Sequence, residues 1–412
     1  MAVYAHVSNP RRLSQAAEAD AAVCVQNLSN WKHAMDEIST WPEYTPQPLH
    51  SMPKTAMQLR LGNLFLKDES ERFGRELGSF KALGAPYAVF RILADEVQAK
   101  AGVWPTSADL RVGKYRDITQ RVTVCVATDG NQGRGLAYGA KIFGCRCVNY
   151  IHSHVSAGRA EAMKDLGAIV IRIKGEYEAS VERAKEDARV NGWHFVSSTS
   201  WNDFDSAIPQ NVMNAYMVVV EETMSMLPRV AEITHVFVCG GVGSIAAMVF
   251  LGFMMHRQKL GTARDELPRF VVIEPQEADG LLQSARQGVP TQSDGSLRTL
   301  MAGLACRAPS PAAWKVLSWL ASDFVSVPDT VAVEGMKMLA RAPYGDVPIV
   351  SGESSAASMG ILLQAGSDNT LRELLGLNSR SQVLLFSLEG ATDPEIFEKL
   401  VGKSPDAVFA AR

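Results

Sequence analysis

Three segments of this chain pair reactive side chains with turns that could hold a ligand. In Gly78-Ser79-Phe80-Lys81-Ala82-Leu83-Gly84-Ala85 one lysine stands at the mouth of an expected helix, where its amine could form a Schiff base with an aldehyde cofactor. In Thr128-Asp129-Gly130-Asn131-Gln132-Gly133 a polar turn follows the apolar run 122–127 and precedes a helical pattern through Leu136, Ala140 and Phe143. Free N–H groups at such a start bind carboxylates and phosphates. Asn131 could donate to a ring oxygen and Asp129 could move a proton; the plain alternative makes either one a helix cap. In Cys239-Gly240-Gly241-Val242-Gly243-Ser244 a glycine turn lies between an apolar run at 236–238 and a helix expected over Ile245 to Met254. Glycines let the backbone curl around a phosphate, whose charge the helix N-terminus then meets. The turn lacks the Lys-Ser/Thr ending of an ATP-binding loop, and no full G-x-G-x-x-G follows the strand, so a nucleotide site is disfavoured.

Strands and helices have to position these turns. A polar, proline-punctuated segment ends near Pro53, and a strand over Asn63 to Lys67 leads through a charged loop to a helix from about Ser79. Apolar runs at 122–127, 147–151, 168–173, 194–197, 234–239, 270–274 and 383–387 alternate with helical patterns, which predicts parallel α/β sheets with the site on loops at strand C-termini. Residues 102–120 carry Pro105, Gly113 and mixed charges without periodicity and read as an insertion or loop.

A length of 412 residues predicts two domains, and 47% hydrophobic with 21% charged residues is the composition of a soluble globular protein. The net charge of -3 gives no reason to expect a nucleic-acid or membrane partner. No apolar stretch approaches the ~20 residues of a membrane span, and Met1 to Asp20 lacks the apolar centre of a secretory signal. A cytoplasmic protein is expected. The six cysteines are scattered, as reduced thiols would be; Cys145-Arg146-Cys147 reads as strand, and His152-Ser153-His154 as a loop-end pair without a third metal ligand.

Taken in order, the lysine, the asparagine turn and the glycine cup resemble pyridoxal 5'-phosphate enzymes of the tryptophan synthase β-like, or type II, fold. The likeness narrows to the diaminopropionate ammonia-lyase family at Lys67-Asp68-Glu69-Ser70-Glu71-Arg72-Phe73-Gly74, Met301-Ala302-Gly303-Leu304-Ala305-Cys306, Tyr344-Gly345, Ser351-Gly352-Glu353-Ser354 and Leu388-Glu389-Gly390-Ala391-Thr392-Asp393. It runs from about Leu64 to Leu400. The resemblance implies two open, mostly parallel twisted sheets with helices on both faces. It implies a large cofactor domain of 1–84 plus 203–412, a small inserted domain of 85–202, the cofactor in the cleft between them, and a homodimer acting on a small amino acid.

By the same resemblance Lys81 carries the cofactor and Asn131 contacts its ring. Gly240, Gly241, Val242, Gly243 and Ser244 hold its phosphate, and Ser387, at the end of a strand from Gln382, offers a neutral hydroxyl to the ring nitrogen. Asp129 resembles a second base on the face opposite Lys81, which makes turnover of both D- and L-substrates a hypothesis. The freed lysine amine would need a pKa below the ordinary ~10.4 to act as a base. The implied reaction removes the β-amino group of 2,3-diaminopropionate and ends in pyruvate and ammonia.

Departures from the family pattern bear on the substrate. Gln132 stands where the family usually has histidine. Ser198 stands where the family has an acidic residue that handles the substrate's amino groups, and Asp203 or Asp205 could substitute from the following loop. A lost charged hydrogen bond would weaken cation binding by about 1.5–3 kcal/mol. That favours a second reading, β-elimination or β-replacement on a serine, threonine or hydroxyaspartate type of substrate. Gly280 replaces a family cysteine, so no regulatory disulfide is expected at Cys306. A third reading, a cofactor-binding carrier or sensor, would show attachment without turnover.

Overall fold

The computed structural model describes residues 4–28, 30–128, 130–197, 199, 207–261, 263 and 266–412. These form the strands β1 (Ala5–Ser8), β2 (Leu49–Ser51), β3 (Asn63–Asp68), β4 (Thr123–Ala127), β5 (Arg146–Ile151), β6 (Ile169–Arg172), β7 (His194–Phe195), β8 (His235–Cys239), β9 (Arg269–Pro275), β10 (Asp323–Val327) and β11 (Gln382–Ser387). Two open sheets result, one ordered β1-β10-β9-β8-β11-β3-β2 and one ordered β6-β5-β4-β7. The second is parallel throughout; the first is parallel except at its edges, where β1 and β2 run antiparallel to β10 and β3. Continuous apolar runs suit strands covered on both faces, and every residue of β4, β8 and β10 is buried.

By contacts the chain groups into two compact units. One takes the chain up to Asn27, Pro46–Glu71 and Val219–Arg412 and holds the seven-stranded sheet; the other takes Leu28–Thr45 and Arg72–Val218 and holds the four-stranded sheet. Lys81 goes with the four-stranded sheet, and a boundary at residue 85 falls inside the helix Lys81–Ala101. In the smaller unit Cys125, Ala127, Val148 and Tyr150 pack on Val181, Ala184 and Ala188, which share one face of the helix Tyr177–Asn191. In the larger unit Phe250 stacks on Phe270 at a centroid distance of 4.5 Å.

The structure corrects the sequence reading in four places. The N-terminal segment contains two strands, β1 and β2, whose residues are half-buried or exposed and leave little apolar signal. β10 reads Asp-Phe-Val-Ser-Val, and its polar residues masked a buried strand; Arg269 Nη2 and His6 Nε2 each lie 2.8 Å from Asp323 Oδ1. The stretch 102–120 is no unstructured insertion, for it forms the short helices Ser107–Arg111 and Arg116–Thr119, the first closed by a capping box of Thr106 and Asp109. The helix after the glycine turn spans Ser244–Lys259, longer than Ile245 to Met254. Among the described residues no helix is long and apolar enough to cross a membrane.

Candidate active site

In the smaller unit, the helix Lys81–Ala101 starts at the lysine itself, with Ser79 Oγ accepting the Lys81 amide at 3.3 Å. Lys81 Nζ lies 4.8 Å from the Phe80 ring centroid, and that ring packs at 4.8 Å on Tyr216. Burial pushes the Tyr216 phenol up, keeping it a neutral hydroxyl. The helix Asn131–Phe143 approaches the Lys81 helix through glycine: a Cβ on Gly135 would lie 2.7 Å from the Lys81 carbonyl oxygen, and one on Gly139 would lie 2.7 Å from Pro86 Cα. Gly135 is about one turn beyond Asn131. The backbone contact therefore seats the Asn131 helix, one turn in from its start, against the start of the Lys81 helix.

The asparagine turn is braced from within. Thr128 Oγ1 accepts the amides of Gly130 and Gly133 at 3.0 and 3.1 Å, and buried Asn149 donates to the Gly133 carbonyl at 3.0 Å. A Cβ on Gly133 would lie 2.5 Å from both Met163 Sδ and Thr128 Cγ2, so glycine is required by close packing. Gln132 is buried with both amide atoms lacking a partner among the described residues, a state that costs free energy unless a bound group answers it. Asp129, Ser198, Asp203 and Asp205 lie outside the described residues.

In the larger unit the glycine turn closes β8 onto the helix Ser244–Lys259. Gly241 and Gly243 have φ of +63° and +93°, a left-handed backbone that glycine adopts without a steric penalty. The Gly240 and Gly243 amides are used, on the Ile273 and Gly240 carbonyls. Among the described residues, the Gly241 and Val242 amides meet no acceptor, so two donors are available to an anion at a helix start. Beneath the turn, a Gly240 Cβ would lie 2.8 Å from Glu274 Cγ. Burial pushes the Glu274 carboxyl up to about 8 despite the Leu281 and Leu282 amides that favour its charge, and a largely neutral acid does not repel a phosphate.

Ser387, the last residue of β11, is buried and donates to Ser351 Oγ at 2.8 Å. Around it the matched segments converge. Glu69 N donates to the Ser387 carbonyl, Gly352 N to the Glu389 carbonyl, and Ser354 N to Glu389 Oε1. Cβ atoms would lie 3.0 Å from Ser354 Oγ at Gly303, 2.9 Å from Ser70 Cβ at Gly390, and 3.4 Å from the Gly303 carbonyl at Gly241. Ser70 Oγ and Ser354 Oγ are buried without partners among the described residues. The Lys67-Asp68 pair supports the loop from below: buried Lys67 Nζ meets Glu222 Oε2 at 2.6 Å. Burial disfavours the Asp68 carboxylate, but the His50 hydrogen bond and the Arg412 charge outweigh it and hold Asp68 below the usual range.

The residues present fit a phosphorylated aldehyde with an aromatic nitrogen. The larger unit offers unpartnered amides at a helix start and a neutral hydroxyl at a strand end; the smaller unit offers an amine at a helix start. Sequence reasoning gave no role to Gln132, Ser351 or Ser354. Their segments had been matched, but which hydroxyl or amide lacks a partner depends on three-dimensional packing.

A family model described as pyridoxal-phosphate dependent enzyme matches residues 40–387. The diaminopropionate ammonia-lyase of Salmonella typhimurium is 35% identical over 376 residues, covering 87% of this chain and 89% of the relative. That of Escherichia coli strain K12 is 32% identical over 374 residues, 89% of each chain. The structure of the Escherichia coli diaminopropionate ammonia-lyase in complex with D-serine superposes with a TM-score of 0.82 at 28% identity, over 97% of this chain and 96% of that one. Threonine deaminase isoform 2 from Solanum lycopersicum, with a TM-score of 0.67 at 16% identity over 97% of this chain and 96% of that one, shares the fold.

Proposed function

The chain belongs to the pyridoxal-phosphate-dependent enzymes and, within them, to the diaminopropionate ammonia-lyase family, and from that premise we propose that it eliminates the β-amino group of 2,3-diaminopropionate as ammonia, the released aminoacrylate then taking up water to give pyruvate and a second ammonia. The observation that carries this reading is the glycine-mediated approach that seats the Asn131 helix, at Gly135, against the Lys81 backbone. When bound, pyridoxal phosphate supplies an aldehyde for an amine and a ring that accepts the electron pair at a substrate Cα. Lys81 anchors that group and takes the Cα proton on one face; Asp129 takes it on the other. Gly240, Gly241, Val242, Gly243 and Ser244 shape the phosphate turn, in which the Gly241 and Val242 amides and the helix N-terminus are the donors. Asn131 orients the ring oxygen. Ser387, whose hydroxyl is held by Ser351, presents an uncharged partner to the ring nitrogen.

The domain boundaries 1–84 plus 203–412 and 85–202, a cytoplasmic location and a homodimer complete the proposal, on the strength of the family likeness. Ser198 in place of an acid supports one alternative, elimination or replacement on a serine or threonine type of substrate. Two readouts separate these readings. The cofactor-saturated protein is expected to release pyruvate from D- and L-2,3-diaminopropionate faster than from serine or threonine. Borohydride reduction followed by peptide mapping is expected to leave the cofactor's mass on Lys81, and none in Lys81→Ala. Release from serine or threonine alone moves the assignment to the alternative; a label on another residue removes Lys81 from its role.

A further inference from the structure

The far end of the Asn131 helix opens on a pocket of about 580 Å³, to which Arg116, Arg121, Lys141 and Arg146 contribute four cations. They come from four segments: a short helix, the approach to β4, the last turn of the helix Asn131–Phe143, and the first residue of β5. Among the described residues no carboxylate pairs with any of them, although other cations of the same unit are paired. Lys100 meets Glu96, Lys114 meets Asp109, Lys164 meets Glu161, Arg183 meets Asp187 and Arg189 meets Glu186. Asp117, on the same short helix as Arg116, does not line the pocket. Cys145 does, and burial pushes its thiol up to about 12, so it brings no negative charge.

We propose that this pocket binds a small polyanion carrying more than one phosphate group. All four are exposed, so water and salt screen much of their mutual repulsion, and an anion among them gains from their summed field. The ordinary duty of cations at a helix C-terminus accounts for Lys141, but Arg121 precedes β4 and Arg146 opens β5, and neither has such a field to answer. The helix end is also closed without them: the Gly144 and Cys145 amides donate to the Ala140 carbonyl at 2.9 and 3.0 Å, and Thr119 Oγ1 donates to the Gly144 carbonyl at 3.1 Å. The volume lies in the range of small-molecule sites, roughly 300–1,000 Å³, and exceeds what one phosphate fills. A net charge of -3 on the chain disfavours a long nucleic acid. Ala140 and Lys141, the lining residues nearest Asn131 along the helix, lie about 14–15 Å from it, so the site is separate from the cofactor contacts proposed above.

Calorimetric titration of the full-length, cofactor-saturated protein with tripolyphosphate tests this. Saturable one-site binding that weakens as salt rises is expected, with inorganic phosphate binding at least tenfold more weakly. The doubly substituted Arg121→Gln, Arg146→Gln protein, both positions being exposed, should keep the thermal midpoint and lose at least tenfold in affinity. Arg12→Gln, remote in sequence and in the other unit, should leave affinity unchanged. Absence of saturable binding, equal affinity in the double variant, or preference for a single-stranded oligonucleotide that tripolyphosphate cannot displace would each overturn the proposal.

Discussion

Asp129 is separated from Asn131 by a single glycine, and its proposed duty is specific enough to be split from that of Lys81 by stereochemistry. Asp129→Asn keeps the size and removes the base. Turnover of D-2,3-diaminopropionate is expected to fall by about 10²-fold or more, the usual worth of a positioned general base, with the L-enantiomer retained; equal loss for both would end the two-base scheme. His235 is a different case, a structural residue with a pH consequence. Burial lowers it to about 4, and its Nε2 contacts the Leu375 carbonyl at 3.0 Å. The folded state holds it neutral while the unfolded chain protonates near 6.5, so its stabilising contribution is complete above that pH and is lost as pH falls toward 4. The loss is on the order of 3 kcal/mol. The thermal midpoint of the native protein should therefore drop more between pH 7.5 and 5 than that of His235→Gln, and parallel curves would remove His235 as the cause.

Glycine spacing decides how the elements meet. Gly135 and Gly139 share one face of the Asn131 helix, and the atoms they approach are the Lys81 carbonyl and Pro86 Cα, neither of which can turn aside. Gly139→Ala should separate the helices at a cost of about 1–3 kcal/mol, lowering both the thermal midpoint and pyruvate release. Gly158→Ala, where a Cβ meets nothing within 4 Å, is the control; equal effects would mean that helix separation is not what matters. A second pair repeats the device, since a Cβ on Gly335 or on Gly360 would strike the Ala356 or the Val331 carbonyl oxygen of the opposite helix. Along the strands, periodicity was informative where burial is complete on both faces, as in β4 and β8. It failed for β10, because Asp323 and Ser326 interrupt the apolar run while remaining buried.

For the whole molecule, the parallel strands β10, β9, β8, β11 and β3 end on one edge of the larger sheet, the place where α/β sheets carry their sites. The ends of β8, β11 and β3 gather Gly241, Ser387 and Asp68, residues distant in sequence. Net charge and composition bear on solubility and partners, and neither specifies assembly. The proposed homodimer is checked by light scattering, which should give twice the mass of the 44.7 kDa chain; a monomeric mass for the active protein would remove it.

The sequence by itself determined the local chemistry: a lysine at a helix start, polar and glycine turns at strand ends, and the alternation of apolar strands with helices. Each depends on neighbours in the chain, through backbone conformation, capping and side-chain period. Tertiary structure alone decided which of these came together and which polar groups were left unanswered. That Gly135 lies on Lys81, that Ser387 finds Ser351, that Gln132 is buried without a partner, and that four cations face one pocket all follow from contacts between distant segments. Such contacts are fixed by how whole elements pack, and no local pattern records them.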